Sequence, residues 1–145
     1  MIYKLLFPTK PSQNDISFLL LTARIVFGFL FLYHGVAKWN NFENLSASFP
    51  DPLGVGSSVS LGLAIFGELI CSVGFIIGIL YRLAMIPMIF TMVMAFFVIH
   101  ADDPFAVKEL AFVYLFIFIL MYIAGPGKFS IDSFIGTAIT QKQRR

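Results

Sequence analysis

The sequence predicts an all-α integral membrane protein, an antiparallel four-helix bundle with both termini in the cytoplasm. Three observations lead there. Of the 145 residues 59% are hydrophobic and only 12% charged, with a mean hydropathy of +0.88, whereas an ordinary soluble domain is about 25% charged. The apolar residues gather into four runs, about 16–37, 59–80, 83–99 and 107–124, each close to the ~17 to 25 residues needed to cross a bilayer. Lysine and arginine divide unequally: Lys4, Lys10, Arg82, Lys128, Lys142, Arg144 and Arg145 fall on one side, Lys38 and Lys108 on the other. The basic side is cytoplasmic by the positive-inside rule. Composition excludes a nucleic-acid partner and makes the lipid bilayer the main one.

Residues 1–15 mix Lys4 and Lys10 with Ile2, Tyr3 and Phe7, which suits an interfacial segment on the cytoplasmic leaflet. Asn14 or Asp15 is placed to cap the first helix. The first apolar run is too long for the core of a signal peptide and ends without a small-x-small cleavage site, so it is expected to stay as a helix. Within it, RIVFGFLFLYHGVAKW places Arg24, Phe27, Gly28, Phe31, His34, Gly35 and Lys38 inside an arc of roughly 120° at about 100° per residue. That stripe faces partners, and Val26, Leu30, Leu32 and Tyr33 face elsewhere.

The connection after Lys38 is the longest and carries Trp39, Phe42, Leu45, Phe49 and Leu53. So many apolar groups in one loop imply a short helix or lid folded on the outer end of the bundle, ending in the Pro50-Asp51-Pro52 turn. The second helix gathers Ser60, Ala64, Gly67, Glu68, Cys71, Gly74, Gly78 and Arg82 on one face. Gly74-x-x-x-Gly78 there reads as a packing device, within the bundle or in a homo-oligomer. Cys71 is the only cysteine, which leaves no internal disulfide or CxxC pair. The third helix carries a methionine face of Met85, Met88 and Met92 running up to His100, which suits deformable core packing or the lining of an apolar ligand site. In the fourth, Glu109, Phe112, Val113, Phe116 and Leu120 share one side, and Gly125-Pro126-Gly127 stops the helix. Phe129, Ile131 and Phe134 then form a short amphipathic stretch at the inner interface, before a basic cytoplasmic tail at 133–145.

Charge inside a bilayer costs at least ~2.5 to 3.5 kcal/mol at a helix centre, so Arg24 and Glu68 require partners. Their depths suggest an ion pair between the first two helices. His34, Lys38, His100 and Glu109 lie within about one turn of the outer surface. This group admits a proton-active ligand site, a metal site, or a wet polar rim. A metal would draw on His34 and His100 with Glu109 or an aspartate, but no H-x-x-x-H or E-x-x-H spacing supports one, and a bis-histidine haem has no motif behind it. A quinone fits these residue types better: His34, Lys38 or Arg24 would donate to its carbonyls, and Phe27, Phe31 and Trp39 would flank its ring. No nucleotide, flavin or iron–sulfur motif is present, so a redox cofactor would be diffusible or supplied by a partner.

Four elements together resemble the DoxX family of small bacterial membrane proteins: Arg24-x3-Gly28, His34-Gly35-x-x-Lys38, Glu68-x5-Gly74-x3-Gly78-x3-Arg82, and Gly125-Pro126-Gly127-Lys128-Phe129-Ser130-Ile131-Asp132. The resemblance runs from about Ile16 to Asp132. It implies a four-helix protein of the bacterial inner (plasma) membrane. It also implies Arg24, His34, Lys38, Glu68 and Arg82 as motif positions, with Gly125, Pro126, Gly127, Ser130 and Asp132 as a cytoplasmic end motif. The family name comes from an association with a quinol oxidase, and some relatives are linked to membrane oxidoreductase complexes. The expectation is therefore a redox-associated subunit with a quinone or similar amphiphile at the outer end, with His34 and Lys38 as candidate catalytic residues beside Arg24, Glu68, His100 and Glu109. A membrane oxidoreductase would be the partner. A nonenzymatic scaffold and a small-solute or proton carrier are the alternatives.

Overall fold

The computed structural model describes residues 10–143. Its helices are α1 (Gln13–Asn40), α2 (Phe42–Leu45), α3 (Ser57–Ile77), α4 (Tyr81–Ile99), α5 (Phe105–Ala124) and α6 (Ile131–Gln143). Four of them, α1, α3, α4 and α5, are long and apolar enough to cross a membrane. Most of the expected N-terminal interfacial segment, residues 1–9, and Arg144 and Arg145 of the basic tail lie outside the described residues. The cap of α1 is Ser12, not Asn14 or Asp15: Ser12 Oγ accepts the Asp15 N–H at 3.2 Å, and the Asp15 carboxylate accepts the Ser12 N–H at 2.9 Å. Two orphan donors are satisfied by one reciprocal pair.

Helices adjacent in sequence pack against each other, α1 on α3, α3 on α4 and α4 on α5. Phe31 of α1 closes the ring by meeting Tyr114 and Phe118 of α5, with ring centroids 5.2 and 4.9 Å away. Phe75 joins Phe118 and stacks on Tyr81, whose hydroxyl donates to the Met121 carbonyl at 3.1 Å. Met85, Met88 and Met92 complete this core, so the methionine face packs inward. On α5 the packed face is Tyr114, Leu115, Phe118 and Met121; the side carrying Glu109, Phe112, Val113, Phe116 and Leu120 is exposed or half-exposed. An almost wholly apolar helix gives no polar contrast by which its buried side can be told from its lipid side.

The α1–α3 seam needs glycine. A Cβ at Gly28 would strike the Ile76 side chain, and one at Gly35 would lie 2.7 Å from the Leu69 nitrogen and 2.8 Å from the Glu68 carbonyl carbon. Beside Gly35, α3 passes through a π-helical turn at Phe66–Ile70, and α4 ends in another at Ala95–Ile99. Such a turn inserts an extra residue and rotates the rest of the helix about its axis. The face expected from Ser60 onward nonetheless turns inward on both sides of the π turn, with Ser60, Gly67, Glu68, Cys71 and Gly78 buried and Ala64 and Gly74 half-buried; only Arg82, beyond the helix, is exposed. Gly78 is not a helix-packing residue: α3 ends at Ile77, and Gly78 sits left-handed at φ +70°, with its N–H and that of Ile79 both donating to the Gly74 carbonyl. Gly78 is thus a helix stop, while Gly74 keeps the expected packing role, its Cβ position lying 3.2 Å from Ala84 Cβ of α4.

The end motif gathers around that stop. Arg24, 1% exposed, donates through Nη2 to the Phe129 carbonyl. A Cβ on Gly78 would collide with the Arg24 guanidinium and lie 2.6 Å from Ser130 Cβ. The Asp132 carboxylate accepts the N–H groups of Leu80 and Tyr81 at 2.9 and 2.8 Å, capping α4, and the Asp132 N–H donates to the Gly78 carbonyl at 2.9 Å. Ser130 Oγ accepts the Ser133 N–H at 3.1 Å. Gly125 and Gly127 both take positive φ to turn the chain back. Together these residues form a latch tying α1, the α3–α4 turn and the start of α6.

Because the atoms facing Gly35 are backbone, Gly35→Ala is expected to lower stability by about 1 to 3 kcal/mol by overpacking, read as a fall in thermal midpoint in detergent. Gly62→Ala, with nothing within 4 Å of its Cβ, is the matched control and is expected to hold or raise that midpoint. Equal midpoints for the two variants would contradict the close approach.

Candidate functional site

At the opposite end from the latch, the bundle holds a cavity of about 710 Å³. Its roof is the loop segment Phe49, Pro50, Pro52 and Leu53, and its walls come from all four long helices. This is the lid-like loop that the sequence implies, with α2 as its short helix. Asp51 holds it in place. The carboxylate accepts the Val55 and Gly56 N–H groups at 3.0 and 2.7 Å and the Ser60 hydroxyl at 2.7 Å, joining the loop to the first turn of α3. The Ser60 hydroxyl, then the Gly56, Val55 and Gly54 amides, hold the Asp51 carboxyl below its ordinary pKa.

One polar cluster stands in otherwise apolar walls. Lys38 Nζ and Glu68 Oε2 form an ion pair at 2.5 Å, with the Glu68 side chain almost fully buried and that of Lys38 26% exposed. The expected Arg24–Glu68 pair is not formed. The direction of the side chains explains why: Cβ atoms lean toward a helix's own N-terminus. On antiparallel helices Lys38 therefore leans inward and Glu68 leans back toward the loop, and they meet, whereas Arg24 leans away toward the latch. Burying a carboxylate without such a partner is strongly unfavourable.

His34 and Tyr114 complete the cluster. Both line the cavity with Lys38 and Glu68, and their rings are 6.1 Å apart, edge to face. Tyr114 is a site residue that the sequence reading misses. Its signal is the spacing Leu110, Ala111, Tyr114 on one side of α5, all of which line the cavity. His100 also lines it, with Nδ1 held 2.6 Å from Asp103 Oδ2. Arg24 and Glu109 do not line it: Arg24 belongs to the latch and Glu109 is exposed. Arg82 sits with its guanidinium 5.8 Å from the Tyr122 ring centroid, away from the site. Among the described residues no group of three or more His, Cys, Asp or Glu side chains is arranged to hold a metal ion, and Cys71 is a buried free thiol.

The cavity also reaches the bundle's outer surface. Leu63, Phe66, Ile86 and Phe90 line it and are each exposed on the lipid-facing side of α3 and α4. A pocket with a few convergent polar groups at one end and apolar walls running out to the bilayer suits an amphiphile.

Four apolar spanning helices around such a site define a multi-pass membrane protein in contact with the bilayer. The DoxX family profile matches residues 19–101. The chain belongs to the DoxX family. An uncharacterized protein of Haemophilus influenzae is 27% identical over 124 residues, covering 80% of this chain and 82% of that one. No solved structure gives a significant match.

The geometry supplies two tests. Lys38→Met strands the Glu68 carboxylate and is expected to cost about 3 kcal/mol or more, with most of the loss recovered in the Lys38→Met/Glu68→Gln double variant; thermal midpoints of the parent, Lys38→Met, Glu68→Gln and the double variant in detergent would show whether the pair couples. Because folding lowers the Asp51 pKa, its bonds stabilise the loop fully above about pH 4 and release it as pH falls through the lowered value. The Val55 and Gly56 amides should then lose protection in hydrogen exchange, corrected for intrinsic rates, only in acid. In Asp51→Asn that acid transition should be missing.

Proposed function

We propose that this protein binds a quinone, or an amphiphile with a similar hydrogen-bonding head, in the loop-end cavity, and serves as a subunit of a membrane oxidoreductase in the bacterial inner membrane. The observation that carries this reading is the polar cluster Lys38–Glu68, His34 and Tyr114 in a cavity of about 710 Å³ whose walls open to lipid. A head group with carbonyl acceptors meets three donors there: the Lys38 ammonium, the His34 imidazole and the Tyr114 hydroxyl. The tail leaves between Leu63, Phe66, Ile86 and Phe90.

When bound, a quinone would supply two-electron, two-proton redox chemistry, with its electrons coming from a partner subunit. The protein's own residues bind and orient the head. Lys38 stabilises negative charge on a carbonyl oxygen, His34 holds or passes a proton, and Glu68 keeps Lys38 in place. Arg24 takes no part, which revises the role read from its position in the sequence. The unequal distribution of lysine and arginine supports a cytoplasmic location for both termini and an outward-facing loop end.

A scaffold would dock other helices through the polar stripe of α1 and associate through the glycine seam of α3. Gly74 is already used inside the bundle, its Cβ position lying 3.2 Å from Ala84 Cβ, and Gly78 belongs to the latch. The ligand reading is therefore favoured.

Trp39, exposed and next to Lys38, supplies the readout. In nanodiscs, ubiquinone and menaquinone analogues should quench its fluorescence saturably. His34→Ala and Tyr114→Phe should each weaken binding about fivefold, the worth of one hydrogen bond near 1 kcal/mol. These two variants are preferable to Lys38→Ala, which would strand Glu68. Unsaturable quenching, identical in all three proteins, would mean partitioning into lipid and would end the proposal.

A further inference from the structure

The helix beyond the latch has an apolar face that the chain itself leaves uncovered. α6 (Ile131–Gln143) contains no buried residue. Ile131, Phe134, Ile135, Ala138 and Ile139 fall at spacings of three and four, within an arc of roughly 140°. All are exposed, Phe134 at 81%. Asp132, Ser133, Gly136, Thr137, Thr140 and Gln143 make the opposite face.

The latch fixes which way this stripe turns. Asp132 reaches the amides of Leu80 and Tyr81, and Asp132 and Ser133 line a groove against the first turns of α1. With its polar side held to the bundle, the apolar stripe faces away from the protein. Only the residues 125–130 separate α6 from the spanning helix α5, so it starts where the bundle leaves the bilayer. The surroundings are cationic: Lys10, Arg82, Lys128 and Lys142 lie at this end, and Arg144 and Arg145 come next in sequence. Asp132 and Asp15, the carboxylates among the described residues at this end, are engaged by backbone amides.

We infer that α6 is an interfacial anchor that lies on an anionic lipid surface, with Ile131, Phe134, Ile135 and Ile139 in the acyl boundary and the flanking lysines and arginines on the head groups. Two features favour lipid over protein as the occupant. The stripe begins just beyond the last turn of the lipid-exposed helix α5, and the basic residues gathered at this end complement acidic head groups, as interfacial helices require. This inference is independent of the loop-end cavity and survives if no quinone binds there.

The test is amide hydrogen exchange of residues 131–143 in the full chain, reconstituted one copy per nanodisc. Discs of phosphatidylcholine would be compared with discs containing phosphatidylglycerol. Exchange is expected to slow by about fivefold or more in the anionic discs, the weight of a single basic residue at such a surface. Phe134→Asp should abolish that protection, while the amides of α1 to α5 stay unchanged and report that the variant is folded. Two results would overturn the inference. One is equally fast exchange in both discs. The other is protection that arises only when two copies share a disc, which would make the stripe a contact between copies of the chain.

Discussion

A carboxylate buried among apolar helices must find a cation within its reach, and the demand of Glu68 organises the loop half of this protein. Meeting it requires Lys38 to come down from the end of α1 while α3 comes close. The closeness is possible because Gly35 puts no side chain between the helices, and the π-helical turn at Phe66–Ile70 sets the rotation at which Glu68 presents itself. Ion pair, glycine seam and π turn are thus one arrangement. The cavity is the space left beside it, bounded by Phe31 and Tyr114 and roofed by the Asp51-anchored loop.

The other half depends on a different cation. Arg24 is as deeply buried as Glu68, yet its hydrogen bond goes to backbone, from Nη2 to the Phe129 carbonyl, while its buried Nε and Nη1 have no partner among the described residues. That explains why the end motif is rich in glycine and short polar residues. Gly78 leaves room for the guanidinium, Gly125 and Gly127 turn the chain, and Ser130 and Asp132 cap the helices that begin there. The two buried charges of the bundle are separated, each holding one end.

The number, order and spanning character of the helices were legible in the sequence because length and hydropathy are summed over many residues. Membership of the polar stripe was legible too: Gly28, Phe31, Gly35 and Lys38 all turn toward partners. Pairing was not. Matching Arg24 with Glu68 used depth along straight helices and ignored the direction in which each side chain leans, which sends Arg24 the other way. The π turn was not legible either, although the inward face of α3 on both sides of it was: Ser60, Gly67, Glu68 and Cys71 are all buried. Tyr114 was hidden for a different reason, an α5 so uniformly apolar that no contrast marked its inner side.

The roof of the cavity is held by one carboxylate on the surface, whereas its charged floor is held by helix packing. The two can therefore change independently. Replacing the stretch Phe49–Leu53 while keeping Asp51 and Ser60 would reshape what the site admits without disturbing the buried charges. A diversity of occupants could in this way arise on one unchanged membrane scaffold, with selectivity residing in a short surface segment and affinity in the helices beneath it.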